Sequence, residues 1–371
     1  MSRPFTIASS YSFCVLALTI FLCGCEAGSY ETSEDALGWH KDAGLNDAGT
    51  LTPYTGAESK DHCFGRDICA LQPQRIPRCT RSLEAIFSID SKSAPAPRSN
   101  QYQSPSIERR EALFDAMASS DMDQAERAMR KARIAGYSLC HIADTFVLYP
   151  DRPKLGGARI AWRKGEASTL ILEAPHTFFD LGTNTQALKL FSELKSRALI
   201  DSGTHRCASD RASMCDRRAQ VCGKQKRRFK NSDMAHSTQS FFQSAHEYLS
   251  MRYEKDWVIS LHGMSDRGMS ISDGTLNDLS EKDAASRFGQ SLMKHFAEEY
   301  VSSCNQWDGA KMDLRLCGTT NVQGRFTNGA ILPCIDEAPR SSGRFIHLEQ
   351  SKWVRKKSDK IALALRDALA R

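Results

Sequence analysis

From about residue 139 onwards, the chain alternates short apolar runs with longer segments in which apolar residues recur every three or four positions. Short runs predict buried strands, and the longer periodicity predicts amphipathic helices. The predicted strands cover residues 159–162, 168–172, 198–201, 257–261, 311–316 and 344–348, and the predicted helices cover 183–197, 239–252, 284–300 and 359–370. We therefore expect an α/β fold with a mostly parallel mixed sheet that helices cover on both faces.

This pattern divides the chain into segments of different character. Residues 151–371 carry the strands and helices, and the first two strands flank Lys164-Gly165-Glu166 in a predicted hairpin. Residues 106–150 are predicted as a helical N-terminal extension, with two helices broken near Ser119. Residues 26–105 are rich in Gly, Ser, Thr, Asp and Pro. They predict a flexible tether with a cystine-pinned segment at 63–79.

The first 25 residues are typical of an export signal. Arg3 precedes an apolar stretch at 13–22, which is too short to remain as a membrane-spanning helix. The stretch leads into Leu22-Cys23-Gly24-Cys25, which resembles a lipobox. We expect Cys25 to be lipidated and to anchor the protein in the bacterial cell envelope, with the outer membrane as the first candidate. An ordinary cleaved signal peptide, which would leave the protein periplasmic or secreted, stays open. Any membrane attachment would be through the lipid.

Cysteine usage agrees with export. Ten cysteines follow Cys25, namely Cys63, Cys69, Cys79, Cys140, Cys207, Cys215, Cys222, Cys304, Cys317 and Cys334. An even number in an exported protein predicts up to five disulfides in an oxidising compartment. The alternative, a zinc site made of cysteines, lacks the Cys-x-x-Cys spacing that such sites favour. We expect the three cysteines between 207 and 222 to staple one loop.

Composition and charge narrow the function classes. Hydrophobic residues make up 41% of the chain and charged residues 25%, as in ordinary soluble globular proteins. The net charge of +6 is spread over 371 residues without an aromatic and basic pattern, so we expect no nucleic-acid partner. The basic run at 224–230 is typical of a solvated loop. It would also steer a polyanionic substrate.

Polar residues of the kind that bind metals follow three of the predicted strands. His176 follows the strand at 168–172, with Asp180 four residues later, His262 follows the strand at 257–261, and Glu349 follows the strand at 344–348. Active sites of such sheets lie at the carboxyl ends of the strands. Two histidines and a carboxylate are a standard ligand set for catalytic zinc, and a further carboxylate serves as general acid and base.

The order and strand contexts of these residues resemble the zinc carboxypeptidase clan, and within it the poly-γ-glutamate hydrolases and the nearby N-formylglutamate amidohydrolases. Asp180-Leu181-Gly182-Thr183 is similar to the family's acid-x-Gly-Thr ending, and His347-Leu348-Glu349 to its final His/Gln-x-Glu element. The resemblance covers roughly residues 155–371. It implies a zinc-carboxypeptidase or phosphorylase/hydrolase-like fold and a zinc-dependent hydrolase of peptide, γ-glutamyl or N-acyl amino acid bonds. One Zn²⁺ would be held by His176, Asp180 and His262.

In this interpretation Glu349 moves the proton between the zinc-activated water and the leaving amine. The family acid is commonly Glu, so Glu173 stands as a substitute ligand for Asp180. Substrate-binding candidates are His205, Arg206, Asp233, His236 and Arg355. For Arg206 an equal alternative is an ion pair with a structural acid, and His246 is expected to be structural.

Two other functions stay open. A non-catalytic surface lipoprotein would bind a peptide or glycan on a degenerate hydrolase scaffold, which the bulky loop at 177–179 favours. A cysteine nucleophile would need a free thiol beside a histidine, and Cys207 near His205 is its candidate, although the even cysteine count argues against it. For the zinc-dependent hydrolase, the expected partner is a peptide-like or anionic amide.

Overall fold

The computed structural model describes residues 75–88 and 90–370. The predictions for the signal peptide, for Cys25, and for Cys63 and Cys69 fall outside these residues. The strands are β1 (Tyr137–Ile142), β2 (Thr145–Pro150), β3 (Arg159–Arg163), β4 (Ser168–Ala174), β5 (Ser196–Asp201), β6 (Arg218–Ala219), β7 (Arg227–Arg228), β8 (Trp257–Gly263), β9 (Met269–Ser272), β10 (Val301–Ser303) and β11 (Phe345–Gln350). The helices are α1 (Leu83–Phe87), α2 (Ile107–Asp121), α3 (Ala125–Ala135), α4 (Thr183–Glu193), α5 (Phe241–Arg252), α6 (Ala284–His295), α7 (Val322–Thr327), α8 (Lys352–Arg355) and α9 (Ser358–Leu369).

Nine of the described strands form one mixed sheet in the order β1-β2-β3-β5-β4-β8-β11-β9-β10. The four central strands β5, β4, β8 and β11 are parallel to one another, and β10 is parallel to β9. The pairs β1–β2, β2–β3, β3–β5 and β11–β9 are antiparallel. The predicted α/β fold with a mixed sheet is confirmed. Strands β6 and β7 form a separate small ribbon.

Helices cover both faces of this sheet, as predicted. One hydrophobic core packs α4, α6 and α9 against alternate residues of the central strands, among them Leu172, Ile259 and Leu348. The other packs α2, α3 and α5 against the opposite face, where Ile171 and Val258 point. Central strands buried on both faces read as continuous apolar runs, which is why the sequence pattern identified them.

Helix ends follow from local chemistry. The Ser106 side chain accepts a hydrogen bond from the Arg109 backbone N–H at the start of α2, and Ser240 does the same for Gln243 at the start of α5. Helix α3 ends at Gly136, whose φ of 81° is in the left-handed region that favours glycine. The two helices predicted for residues 106–135 are therefore present as α2 and α3.

The predicted hairpin between 159–162 and 168–172 is wrong. Strand β5 lies between β3 and β4, antiparallel to β3 and parallel to β4. Strand β4 carries apolar residues on both faces. A central position between β5 and β8 buries both faces. The short turn at 164–166 joins two strands that are not neighbours.

Several predicted boundaries also differ from the structure. Helices α4 and α6 are shorter than predicted, because Lys195 adopts a φ of 47° before β5 and Phe296 caps α6. The predicted strand at 311–316 is a loop that makes one bridge, from Met312 to Ser303. Strands β9 and β10 were not predicted, because they are short and serine-rich.

The segment at 75–105 differs from the predicted tether. Ile86 and Phe87 of α1 are buried in the core that contains α4, and Cys79 forms a disulfide with Cys140 in β1. Within 75–88 and 90–105, the chain is thus attached to the domain, and Cys79 is not part of a knot confined to 63–79. Residues 137–150 likewise form β1 and β2 of the main sheet rather than a helical extension.

Four disulfides join described cysteines: Cys79–Cys140, Cys207–Cys222, Cys215–Cys334 and Cys304–Cys317. Cys207 and Cys222 staple one loop as expected, whereas Cys215 pairs with the distant Cys334. Several disulfides in one domain indicate an oxidising, extracytoplasmic location. Between residues 75 and 370, as far as they are described, no helix combines the length and apolar character needed to cross a membrane.

A buried ion pair closes the loop that follows β5. Arg159 Nη2 lies 2.6 Å from Asp201 Oδ1, which also accepts the Gly203 backbone N–H at 2.8 Å. We expect Asp201→Asn to lower the free energy of unfolding by about 3–5 kcal/mol, because it leaves a buried guanidinium uncompensated. Urea denaturation measures this loss. The control Lys131→Gln, which breaks the partly exposed pair with Asp115, should leave stability nearly unchanged.

Candidate metal centre

The carboxyl ends of β4, β8 and β11 bring the predicted site residues together. His176 follows β4 after Pro175, which cannot continue a strand, and His262 is the last residue but one of β8. In the parallel pairing of β8 and β11, His262 is directly opposite Glu349. The edge of the sheet that the sequence indicated is therefore where these side chains meet.

Strand register arranges one face of these strands in layers. Ile171, Val258 and Phe345 are aligned at the base of the face. One step towards the carboxyl ends, a polar layer holds Glu173, Ser260 and His347. The next step holds His262 and Glu349, beside the loop that carries His176. The change from apolar to polar residues along one face marks where the packed core ends and the site begins.

The inner nitrogens of two histidines converge with a carboxylate. His176 Nδ1 lies 3.2 Å from His262 Nδ1, and Asp180 Oδ2 lies 3.1 Å from the first and 3.8 Å from the second. A tetrahedral ion with bonds of about 2.0–2.1 Å separates its ligand atoms by about 3.3 Å. The three atoms are therefore spaced as the ligands of one ion would be. All three residues are buried.

The outer nitrogens of the same histidines are held by other residues. His176 Nε2–H donates to Asp233 Oδ1 at 2.8 Å, and His262 Nε2 lies 2.9 Å from Ser260 Oγ and 3.4 Å from Asn321 Nδ2. Metal-ligating histidines almost always have such an outer partner, which fixes ring orientation and tautomer. Both rings are thus fixed with Nδ1 directed at the same point.

Two other groups of ligand-type residues overlap this one. They are His176 with Asp233 and His236, and His262 with His347 and Glu349. In the first, Asp233 Oδ2 already accepts two bonds from Arg206, at 3.0 and 2.5 Å, so its charge is largely neutralised. The second shares only His262 with the convergent set, and its Glu349 Oε1 lies 3.9 Å from His347 Nε2. The set of His176, Asp180 and His262 fits a cation best.

Burial controls the charge of the two histidines differently. Burial, together with His347 and His176, lowers the pKa of His262 well below its usual value, so its imidazole is neutral and available as a ligand. For His176, burial and Arg206 lower the pKa, but the carboxylates of Asp233 and Asp180 outweigh them and the net direction is upward. A cation at this point would take the place of a proton on His176.

Glu349 is a buried carboxylate beside this group. Burial, followed by the Asp180 carboxylate, raises the pKa of Glu349 to about 7. Its Oε2 is buried without a hydrogen-bond partner among the described residues, and Oε1 lies 3.9 Å from His347 Nε2. A general acid and base works best with a pKa near the working pH and with an oxygen free to receive a proton. Glu349 has both properties.

Arg206 supports the centre through Asp233. Its Nε and Nη2 both bond Asp233 Oδ2, Nη1 lies 3.4 Å from His176 Nδ1, and its guanidinium lies 5.3 Å from the Phe179 ring centroid. The sequence left open whether Arg206 grips a substrate or pairs with an acid of the protein. The structure has the ion pair with Asp233.

His205 lies at the edge of the site with a defined tautomer. The Cys207 backbone N–H donates to His205 Nδ1 at 3.0 Å, so Nε2 carries the ring proton. Burial, with Arg206 as the next cause, lowers the pKa of His205 to about 4, which keeps the ring neutral. The side chain is half-buried, so Nε2–H is a neutral donor that a substrate oxygen can use.

The other candidates lie close to the centre but are engaged with the protein. His236 bonds Asp233 Oδ1 at 3.0 Å and Thr320 Oγ1 at 3.1 Å, and its ring stacks on Phe229. Arg355 donates to the backbone carbonyls of Leu181 and Gln350, which ties the Asp180 loop to the end of β11. Both residues position the site in the structure as described.

Glu173 is not positioned to replace Asp180, contrary to the substitute role predicted for it. It lies one layer deeper, fully buried, and accepts a hydrogen bond from His246 Nδ1 at 2.6 Å. His246 Nε2 is held in turn by Thr327 Oγ1 at 3.2 Å. Register places Glu173 beside α5 rather than at the edge of the sheet where the ligand atoms meet.

The thiol hypothesis is also excluded, because Cys207 is joined to Cys222 in a disulfide. Sequence reasoning missed Ser260 and Asn321 as partners of His262. Ser260 was recognisable, since it is two residues before His262 on the same strand face. Asn321 had no sequence signal, because it comes from a loop about 60 residues further along the chain.

Asp233 gives a prediction for the outer partners. Asp233→Asn keeps the size of the side chain but removes the charge that holds His176 Nε2–H and Arg206. We expect metal affinity to fall roughly 10–100-fold, the usual cost of losing such a partner. Competition with a zinc chelator measures it. Asp210→Asn, on the exposed side of the same loop, should leave the affinity unchanged.

Comparison with known proteins gives no match to a family model or to a curated protein. Solved structures that resemble the fold include a bacteriophage poly-γ-glutamate hydrolase, with 14% identity, 58% of this chain and 88% of that chain covered, and a TM-score of 0.33. A zinc-free apo form of a protein designated YNDL has 13% identity, coverage of 58% and 90%, and a TM-score of 0.31. A succinylglutamate desuccinylase from Vibrio parahaemolyticus has 9% identity, coverage of 63% and 77%, and a TM-score of 0.34.

Proposed function

We propose that the chain is a zinc-dependent hydrolase of amide bonds, in which His176, Asp180 and His262 hold one ion and Glu349 moves the proton. The observation that carries the proposal is the convergence of two histidine Nδ1 atoms, 3.2 Å apart, on the Asp180 carboxylate. Two imidazoles and one carboxylate suit zinc better than magnesium or calcium, which prefer oxygen ligands. When bound, the ion supplies Lewis-acid polarisation of a carbonyl and acidification of a water.

The residues of the chain divide the remaining work. Glu349, with Oε2 free, accepts a proton from the attacking water and passes it to the leaving nitrogen, so the carboxylate ends the cycle as it began. His205 donates its Nε2–H to a substrate oxygen. Arg206 and Asp233 keep His176 in orientation, and Nη1 of Arg206 adds positive charge 3.4 Å from His176 Nδ1. The substrate class that fits is a peptide-like or anionic amide.

The alternative function, a surface protein that binds a peptide or glycan without cleaving it, predicts scattered ligand residues on a degenerate scaffold. Ligand atoms that converge, with an outer partner on each ring, support the hydrolase instead. The loop at 177–179, whose bulky side chains favoured the alternative, makes contacts with the rest of the protein. Thr177 bonds Ser202 and the Ala174 carbonyl, and Phe179 packs on Arg206 and His205.

For location, we propose that the chain is exported and anchored through a lipid on Cys25, with the hydrolase domain outside the cytoplasm. The lipobox-like Leu22–Cys25 supports the anchor, and the disulfides support the compartment. Labelling of the expressed protein with a fatty-acid analogue should be lost in Cys25→Ala. Retained labelling in that variant would contradict the anchor.

Metal content is the direct test. We expect purified protein to bind one zinc per chain, and zinc at about 100 times its dissociation constant to stabilise the fold by about 2.7 kcal/mol. A domain of this size should then melt several degrees higher. Elemental analysis and thermal melts with and without chelator measure both. A folded protein that takes up no divalent metal would contradict the proposal.

A further inference from the structure

A cavity of about 480 Å³ lies against the loop between β5 and α5. Its lining contains none of the three proposed metal ligands. Five basic side chains line it, namely Arg98, Lys224, Arg227, Arg228 and Lys230. Two carboxylates also line it, Asp210 and Asp233. The cavity therefore has a clear excess of positive charge, in a chain whose acidic and basic residues otherwise nearly balance.

The charge of these basic groups is poorly neutralised by the protein. Asp233 is committed to Arg206, and Asp210 lies 3.8 Å from Lys230. Arg227 and Arg228 donate to neutral oxygens of Gln225 and Met214. For Arg98 and Lys224, no carboxylate within the described ranges lies at ion-pair distance. Such groups stay close together at a cost in mutual repulsion, which a bound anion would relieve.

The cavity is also held in shape, unlike a free basic loop. The Cys207–Cys222 disulfide joins two of its walls. On another side, the Arg98 backbone N–H donates to the Cys207 carbonyl at 2.7 Å, so the segment before α2 forms part of the wall. Phe229 stacks on His236 with ring centroids 3.7 Å apart. A preformed site loses less entropy when it binds a ligand.

Asp233 connects this cavity to the metal centre. Asp233 is among the residues that line the cavity, and its carboxylate accepts a hydrogen bond from His176 Nε2–H at 2.8 Å. A ligand seated in the cavity would therefore lie one residue away from the ring of a proposed metal ligand. The two sites are neighbours with separate binding groups.

We propose that this cavity is a binding site for an oligoanionic ligand, one that carries two or more carboxylate or phosphate groups. Guanidinium groups bind both kinds of group through paired hydrogen bonds, and three of the five basic residues are arginines. A single charge would leave most of the cluster uncompensated, which is why the site suits a multiply charged ligand. The inference goes beyond the proposed hydrolysis, because the cavity would bind whether or not the centre is active.

The test is calorimetric titration of the zinc-loaded protein at low ionic strength, with pyrophosphate in one arm and tricarballylate, a tricarboxylate, in the other. We expect saturable binding at one site that weakens as salt is added. Arg98→Gln and Arg227→Gln should each weaken it roughly tenfold, since each removes a charge-assisted contact. The matched control is Lys226→Gln, because Lys226 belongs to the same basic run but is not among the lining residues.

A further variant, His262→Ala, separates this site from the metal centre, and anion binding should persist in it. Tighter binding of pyrophosphate would point to a phosphorylated ligand, and tighter binding of tricarballylate to a polycarboxylate. No saturable binding at millimolar concentrations would overturn the proposal. So would an equal loss in Lys226→Gln, or loss of binding in His262→Ala. Thermal melts and thiol titration check that each variant keeps its fold and the Cys207–Cys222 bond.

Discussion

Glu349→Gln should lower kcat for amide hydrolysis by roughly 10²–10⁴-fold while zinc binding stays intact. The amide has the size of the carboxylate but cannot take up a proton at neutral pH. Because Glu349 Oε2 makes no hydrogen bond with the described residues, the substitution breaks no contact of that oxygen. Rates on a panel of N-acyl amino acids and γ-glutamyl amides, together with metal content, measure the effect.

The matched control is Glu193→Gln, a surface carboxylate that pairs with Arg366. Activity and metal content should both be unchanged in this variant. If Glu349→Gln lost its zinc along with its activity, Glu349 would be a ligand, as the group with His262 and His347 would require. Full activity in the variant would exclude Glu349 from the proton transfer altogether.

The second large effect is expected at His262, where His262→Ala should abolish stoichiometric zinc binding and with it all turnover. The substitution removes one of the three proposed ligands, and leaves His176 Nδ1 without the ring that now lies 3.2 Å away. The loss of affinity should exceed the roughly 10–100-fold that an outer partner costs. Zinc titration in the presence of a competing chelator distinguishes the loss of a metal ligand from the loss of an outer partner.

His295→Ala is the control for His262→Ala, since His295 is a surface histidine that bonds Asp367. It should bind zinc as the parent protein does. Circular dichroism distinguishes loss of metal from loss of fold, because the sheet core beneath the centre is apolar and contains none of the three proposed ligands. A His262→Ala protein that is folded and still holds one zinc would contradict the proposed ligand set.

Much of this centre was predictable because the end of a buried strand can be recognised in the sequence, where an apolar run changes to polar residues. His176, His262 and Glu349 each follow or end an apolar run, and neighbouring parallel strands place their carboxyl ends at one edge. Asp180 required only a short turn after His176. The sequence could therefore indicate which side chains meet at this edge, and the α/β fold, without the order of the strands.

Strand order itself was not accessible in this way. The short turn at 164–166 indicated a hairpin, yet β5 separates the two strands, because long-range pairing decides which apolar strand is central. Glu173 shows the same limit within a strand. Its place within the strand was predictable, whereas its depth and its partner His246 depend on register and on where α5 packs.

The partners of side chains that meet across long sequence distances could not be predicted from the sequence either. Sequence distance says nothing about whether Arg206 would meet Asp233 or a substrate, and nothing about the partner of Cys215, which lies 119 residues further along the chain. The segment at 75–105 had the composition of a linker, but Ile86 and Phe87 attach it to the core. Composition is an average over the whole segment, and it does not reveal that two apolar side chains are buried in the core.

The position of β11 has a consequence for how the chain must be assembled. It is the last of the described strands in sequence order, yet it is inserted between β8 and β9, which are both made earlier. A nascent or truncated chain that lacks residues 345–350 would present β8 and β9 with open hydrogen-bonding edges, which invite pairing with other chains. Folding of the sheet is therefore complete only once β11 has been made, and a product released before residue 345 would be prone to aggregate.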